Sequence, residues 1–178
     1  HLQESRSRFS LVNVLIAAWF SDKAGYIQQL WEVDAFQDES NQLRQRGGAV
    51  YQPEDLKDEA RTIVRDAAFR RVIVAVYEHR CAFCELQVID ALGQNIVDGA
   101  HIKPFSLFYD DRIDNGISLC KNHHWAFDRG WFSIDDNYTL LISDSLREES
   151  PHAKPMRKFL GDRIRLPSHQ QHYPRIEA

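Results

Sequence analysis

Cys81 and Cys84 are separated by two residues, and so are Cys120 and His123. Paired knuckles of this kind bring four nitrogen or sulfur donors to one tetrahedral metal ion, most often zinc in a structural role. The pattern uses all 3 cysteines of the chain. Taken singly, each cysteine would pass for a small buried apolar residue. The two matched gaps point instead to a Cys3His site for a structural Zn2+.

If His123 serves that site, its neighbour His124 points about 100° further round the same helix and is available for other work. Asp128 lies four residues beyond His124, so on a helix the two share a face and could grip one divalent ion. Spacing alone leaves the reverse assignment open, with His124 on zinc, although the C-x-x-H gap favours the first. Upstream, His101 closes the stretch Ile96-Val97-Asp98-Gly99-Ala100. An imidazole at a strand end can take a proton from water near neutral pH. Asn115 could hydrogen-bond the same region, or simply make the turn that Asn-Gly favours. Each residue alone has an ordinary structural explanation; it is the set that asks for a function.

These side chains need a scaffold. Residues 8–34 are predicted to be helical, because Phe9, Val12, Ile16, Trp19 and Phe20, then Tyr26, Leu30 and Val33, recur at helical steps. Residues 37–48 are polar, end in Gly47-Gly48 and are predicted to form a loop or linker. Pro53-Glu54-Asp55 has the character of a helix start, with proline and acids in the first turn. That helix is predicted to run through Tyr77 and deliver the chain to Cys81. Val88-Ile89 and residues 96–102 read as short strands, the second stopped by Pro104. Residues 105–114 read as a loop, 116–119 as a strand, and 121–128 as a helix closed by Gly130. A hairpin is predicted from 131–134 and 138–142, and a short helix from Leu146 ahead of an irregular tail.

A length of 178 residues and 43% hydrophobic content suit one domain, or a smaller domain with an extension. The expected division is a helical N-terminal extension (1–50), a central domain with its lead-in helix (51–145), and a C-terminal tail packed on it (146–178). A net charge of -4 argues against binding nucleic acid with the whole surface. Phosphate contacts would have to come from local cations such as Arg70, Arg71, Arg80, Lys103, Arg129 or the segment 154–165. Any one of these is more often plain surface charge. No apolar run approaches the roughly 20 residues of a membrane span, and nothing after residues 11–20 has the pattern of a signal cleavage site. Clustered, odd-numbered cysteines speak for a reducing compartment, with the cytoplasm as default. Met156 is the only methionine, so the chain reads as a processed protein or a piece of a longer one. The apolar stripe from Phe9 to Val33 could support a homodimer, although such stripes are more often core.

Ala100-His101-Ile102, Asn115-Gly116 and Leu119-Cys120-x-x-His123-His124-x-x-Phe127-Asp128-x-Gly130 together resemble the HNH endonuclease family. Gly130-Trp131-Phe132-Ser133-Ile134-Asp135 is similar to its subgroup of predicted restriction endonucleases. The resemblance implies an α+β fold with a ββα-metal core and a metal-dependent DNA endonuclease, the cleavage part of a restriction or defence protein. It implies His101 as the general base and Asn115 as the residue that orients that base or its loop. His124 would bind a catalytic Mg2+ or Mn2+, and the products would carry 5′-phosphate and 3′-hydroxyl ends. Many members place an acidic ligand directly before the first histidine; here Ala100 stands there, leaving Asp128, or secondarily Asp98, to supply the carboxylate. Lys103 and Arg129 flank the site as candidate contacts to DNA phosphates. The alternative is a non-catalytic zinc module that contacts nucleic acid or a protein. His101, Asn115 and His124 together favour the enzyme, because a purely structural zinc domain needs none of them. A nuclease acting on RNA would use the same core.

Overall fold

The computed structural model describes residues 33–57, 59–91, 94–149 and 154–176. The helices expected before residue 33, and with them the dimer stripe, lie outside the described residues.

Helix α1 spans Val33–Arg46, where the polar stretch 37–48 was expected to be a loop. A few inward residues suffice here: Leu43 and Ser40 are buried, and α1 lies along the next long helix. The rest of the stretch is rich in Gln, Glu and Arg, which favour helix without needing a core face. The helix stops at Gly47-Gly48, both at positive φ, as a helix end requires. Gly48 is also sterically obligatory, since a Cβ there would lie 2.2 Å from the carbonyl oxygen of Asp111.

The predicted lead-in helix is split. Pro53–Leu56 forms a 3-10 turn, and helix α2 follows over Glu59–Val76. Ala68, Phe69, Val72, Ile73 and Val74 of α2 are all buried, so this helix is the centre of the core rather than a surface element. It crosses a two-stranded antiparallel sheet formed by β1 (Val97–His101) and β2 (Gly116–Cys120), paired from Val97↔Cys120 to His101↔Gly116. The crossing is close enough to demand glycine. A Cβ on Gly99 would fall 2.8 Å from the Cα of Arg70, and one on Gly116 would fall 2.2 Å from Cδ1 of Ile73.

Strand alternation then divides β1 between two neighbours. Gly99 and His101 face α2, while Asp98 and Ala100 face helix α4 (Lys121–Phe127), which follows β2 directly. β1, β2 and α4 form a ββα unit, and the fold class is α+β. Between the strands, the expected loop holds a one-turn helix α3 (Phe105–Phe108) and a 3-10 turn (Ile113–Asn115).

Val88-Ile89 does not form a strand: Ile89 makes only an isolated bridge to Asn95, and both residues are about half exposed. With no further strand beside them, their β-branched side chains have no face to cover. The predicted hairpin is present as β3 (Phe132–Ile134) and β4 (Leu140–Ile142). The helix expected from Leu146 is absent from 146–149, and among the described residues of the tail the first helical turn is a 3-10 turn at Met156–Phe159. The tail is nonetheless attached, through Arg165 N–H to the carbonyl of Ala82 at 2.9 Å. Among the described residues no helix is long and apolar enough to cross a membrane.

Candidate active site and metal centre

The two knuckles meet. The donor atoms of Cys81, Cys84, Cys120 and His123 all lie within 4.8 Å of one another, close enough for one tetrahedral ion to be reached by all four. His123 turns its Nδ1 inward, 3.1 Å from Cys120 Sγ and 3.6 Å from Cys81 Sγ. Its ring stacks on Phe83 with centroids 4.0 Å apart, so packing alone already holds its orientation. The first knuckle is held to the sheet by Ala82 N–H donating to the carbonyl of Ser118 at 2.7 Å.

The proton chemistry of the cluster suits a cation. Hydrogen bonds from the Cys81 and Cys84 thiols, and then from His123, push Cys120 far below the ordinary thiol range. Burial alone would lower His123, but hydrogen bonds and negative charge from Cys120 and Cys84 raise it to about 9. Four donors this crowded cannot each keep a proton, and a bound divalent cation would take the protons' place.

His101 sits at the end of β1, on the α2 side. Its Nε2 lies 2.7 Å from Oδ1 of Asp111, whose side chain is 0% exposed. The other carboxylate oxygen of Asp111 is paired with the buried guanidinium of Arg65. The His101 ring stacks flat on Phe69, with centroids 3.9 Å apart and planes 3° apart, and is flanked by Phe105 at 5.4 Å. Because a carboxylate only accepts, Nε2 carries the hydrogen and Nδ1 keeps its lone pair.

Asn115 is buried and its amide is fully used. Its Oδ1 accepts from Lys103 N–H at 2.8 Å, and its Nδ2 donates to the carbonyls of Lys103 at 3.2 Å and Asp110 at 2.9 Å. It therefore ties both ends of the loop that follows His101. It also closes the 3-10 turn, its N–H donating to the carbonyl of Arg112 at 2.9 Å. Gly116 is already extended in β2, so there is no Asn-Gly turn of the expected kind, and the Asn115 side chain bonds the loop and not the His101 ring.

His124 points away from the cysteines and lies between two carboxylates. Its Nδ1 is 3.7 Å from Asp98 Oδ2, and its Nε2 is 3.8 Å from Asp128 Oδ2. A single ion binds one ring nitrogen, so these carboxylates are alternatives, not a set. Asp98 already holds Lys121 Nζ at 2.9 Å and Arg70 Nη1 at 3.0 Å. Burial would raise its carboxyl, but the hydrogen bonds from His124 and Lys121 and the charge of Arg70 hold it well below the usual range. Asp128 is 58% exposed at the end of α4. Among the described residues, no third His, Cys, Asp or Glu donor gathers with His124. The geometry is an open, two-donor site, the form that suits an ion retaining several waters or taking substrate oxygens.

The two cations expected at the rim occupy different settings. Arg129 lies over the exposed Trp125 ring at 3.6 Å and donates to the Trp125 carbonyl at 3.2 Å. Lys103 lies 5.6 Å from the Phe108 ring, on the loop that Asn115 ties down. Sequence reasoning passed over Arg65, Phe69 and Asp111. Asp111 sat among other acids in an expected loop, and nothing local marks it as the acid that turns inward. Phe69 stood out only as an apolar residue of the lead-in helix, and Arg65 carried no signal of its own.

Residues 81–135 match the family model described as HNH endonuclease. The segment that carries His101, Asn115, His124 and the Cys3His cluster is thus the part of the chain that is similar to HNH endonucleases. A solved structure described as a modification-dependent TagI restriction endonuclease is similar over 63% of this chain and 35% of that one, with 24% sequence identity and a TM-score of 0.44. The chain spans about a third of that protein's length. No curated protein matches.

Proposed function

We propose that the chain cleaves DNA phosphodiesters, with His101 as the general base, His124 and a carboxylate holding a catalytic Mg2+ or Mn2+, and the Cys3His cluster holding Zn2+. The observation that carries this reading is the division of labour between adjacent histidines. His123 faces the cysteines at 3.1 Å while His124 faces Asp98 and Asp128. One helix therefore serves a structural centre and a second, open site.

In this reading Nδ1 of His101 takes the proton of the attacking water. Asp128 is the preferred carboxylate partner of His124, because Asp98 is engaged by two cations. A divalent ion bound there would stabilise charge on the phosphate and the leaving 3′-oxygen. Asn115 holds the loop that carries Lys103, and Lys103 and Arg129 contact backbone phosphates at the rim. The part played in the cell is the cleavage step of a restriction or defence system.

The test is plasmid cleavage with Mg2+ or Mn2+, comparing the parent with His101→Ala on unmodified DNA, modified DNA and RNA. Cutting by the parent alone, leaving 5′-phosphate ends, supports the assignment. Cutting confined to modified DNA supports the restriction role, and a preference for RNA replaces DNA as substrate. Full cleavage by His101→Ala removes His101 as the base.

A further inference from the structure

From this geometry we infer that Asp111 and Arg65 form a buried positioning pair for His101, so that helix α2 is part of the catalytic unit. The inference rests on the reading of His101 as the base. Neither residue was singled out by its sequence pattern, and Arg65 and Phe69 lie upstream of the segment 81–135 that matches the family.

The argument begins with energetics. Arg65 and Asp111 are 4% and 0% exposed. A buried ion pair rarely adds stability over well-packed apolar residues, because the desolvation of two charges offsets their attraction. This pair is not even fully satisfied, since the buried Nε of Arg65 has no hydrogen-bond partner. A pair kept at such a cost, with one oxygen turned to a candidate base, points to a role in the site.

The geometry says what that role is. Arg65 occupies Oδ2 of Asp111 and leaves Oδ1 for Nε2 of His101. The guanidinium is itself fixed by the Phe105 ring, 3.8 Å below it. Phe69 sets the plane of the His101 ring by stacking, and Asp111 sets its rotation within that plane. The result is one tautomer, with hydrogen on Nε2 and the lone pair on Nδ1. When Nδ1 takes a proton from water, the imidazolium that forms keeps its Nε2–H bond to the Asp111 carboxylate, and no second proton has to move. Both are positioning residues that act through His101.

The experiment uses the zinc-loaded chain labelled with 15N-histidine, and reads the His101 ring by NMR together with steady-state cleavage of plasmid DNA. Three variants are compared: Asp111→Asn, Arg65→Met, and the double replacement Arg65→Met with Asp111→Leu. The parent is expected to show the Nε2–H tautomer alone. Asp111→Asn is expected to show mixed tautomers and a kcat lower by about 10²–10⁴-fold, as when the orienting acid of a catalytic histidine is removed, with KM changed by less than about twofold. The double variant is expected to melt at or above the parent temperature while losing the same activity. That outcome separates positioning from stability.

A single unchanged tautomer and unchanged kcat in Asp111→Asn overturn the inference, as does a rise in KM alone. If the parent does not cleave DNA but its tautomer still depends on Asp111, the pair positions the ring and the nuclease assignment of His101 is what falls.

Discussion

The ring of His101 lies flat on the ring of Phe69, with centroids 3.9 Å apart and planes 3° apart. A histidine thus clamped face-on has little freedom to tip. Phe69→Leu keeps the site apolar but removes the flat support. It is expected to cost about 1–2 kcal/mol of stability, less than full truncation of a buried aromatic, and to lower cleavage roughly tenfold at unchanged zinc content. A cleavage rate equal to the parent's, once corrected for the folded fraction, would show that the stack is packing only.

Removal of one zinc ligand tests the metal centre. Cys84→Ser should lower zinc per chain by elemental analysis and bring the melting temperature down by at least about 4–8 °C, corresponding to roughly 2 kcal/mol or more. The parent treated with a strong chelator should behave alike. Equal zinc content and equal melting in parent and variant would remove the structural role.

Asp98 gives a pH signature. Its carboxyl is held well below the ordinary range in the folded chain, so its contribution is fully present above the unfolded value of about 3.9 and is lost as the pH falls below it. Asp98→Asn should therefore be less stable than the parent by roughly 1–2 kcal/mol near pH 7, with the gap beginning to narrow only as the pH falls below about 4 and persisting at about pH 3. Denaturant titrations of both proteins at several pH values measure this. A gap independent of pH would mean that Asp98 contributes shape rather than charge.

The glycines of the sheet make a graded pair. Gly99→Ala forces a methyl to within 2.8 Å of the Arg70 backbone, which cannot step aside, and should destabilise by about 1–3 kcal/mol. Gly116→Ala meets the flexible end of Ile73 instead and should cost less. Thermal melts that reverse this order would show α2 to be the more mobile partner.

What the sequence made legible follows from the range of the signals. The four donors of the Cys3His cluster lie in two local gaps that need only one long-range meeting, and β1, β2 and α4 follow one another within a single segment, Val97 to Phe127. The polar part of α1, residues 37–46, was missed because its buried residues are Leu43 and Ser40, too sparse a period to detect. Val88-Ile89 misled for the opposite reason: they are strong strand formers, but Ile89 makes only an isolated bridge to Asn95 and both stay about half exposed. At the site, His101 and His124 announced themselves, but the supports of His101 did not. Asp111 lies 46 residues from Arg65, and an acid's inward turn depends on where the chain has already put a cation.

Cys120 ends β2 and His123 sits in the first turn of α4, so an ion in the cluster fastens strand to helix and stops the helix from rolling. His124 is the next residue, and its bearing is inherited from that fastening. A single residue inserted or deleted between Cys120 and His124 would turn the helix by about 100°, carrying one imidazole out of the thiolates and the other away from its carboxylates together. This stretch therefore has a reading frame of its own: replacing one donor damages one site, but a change of length breaks both at a stroke.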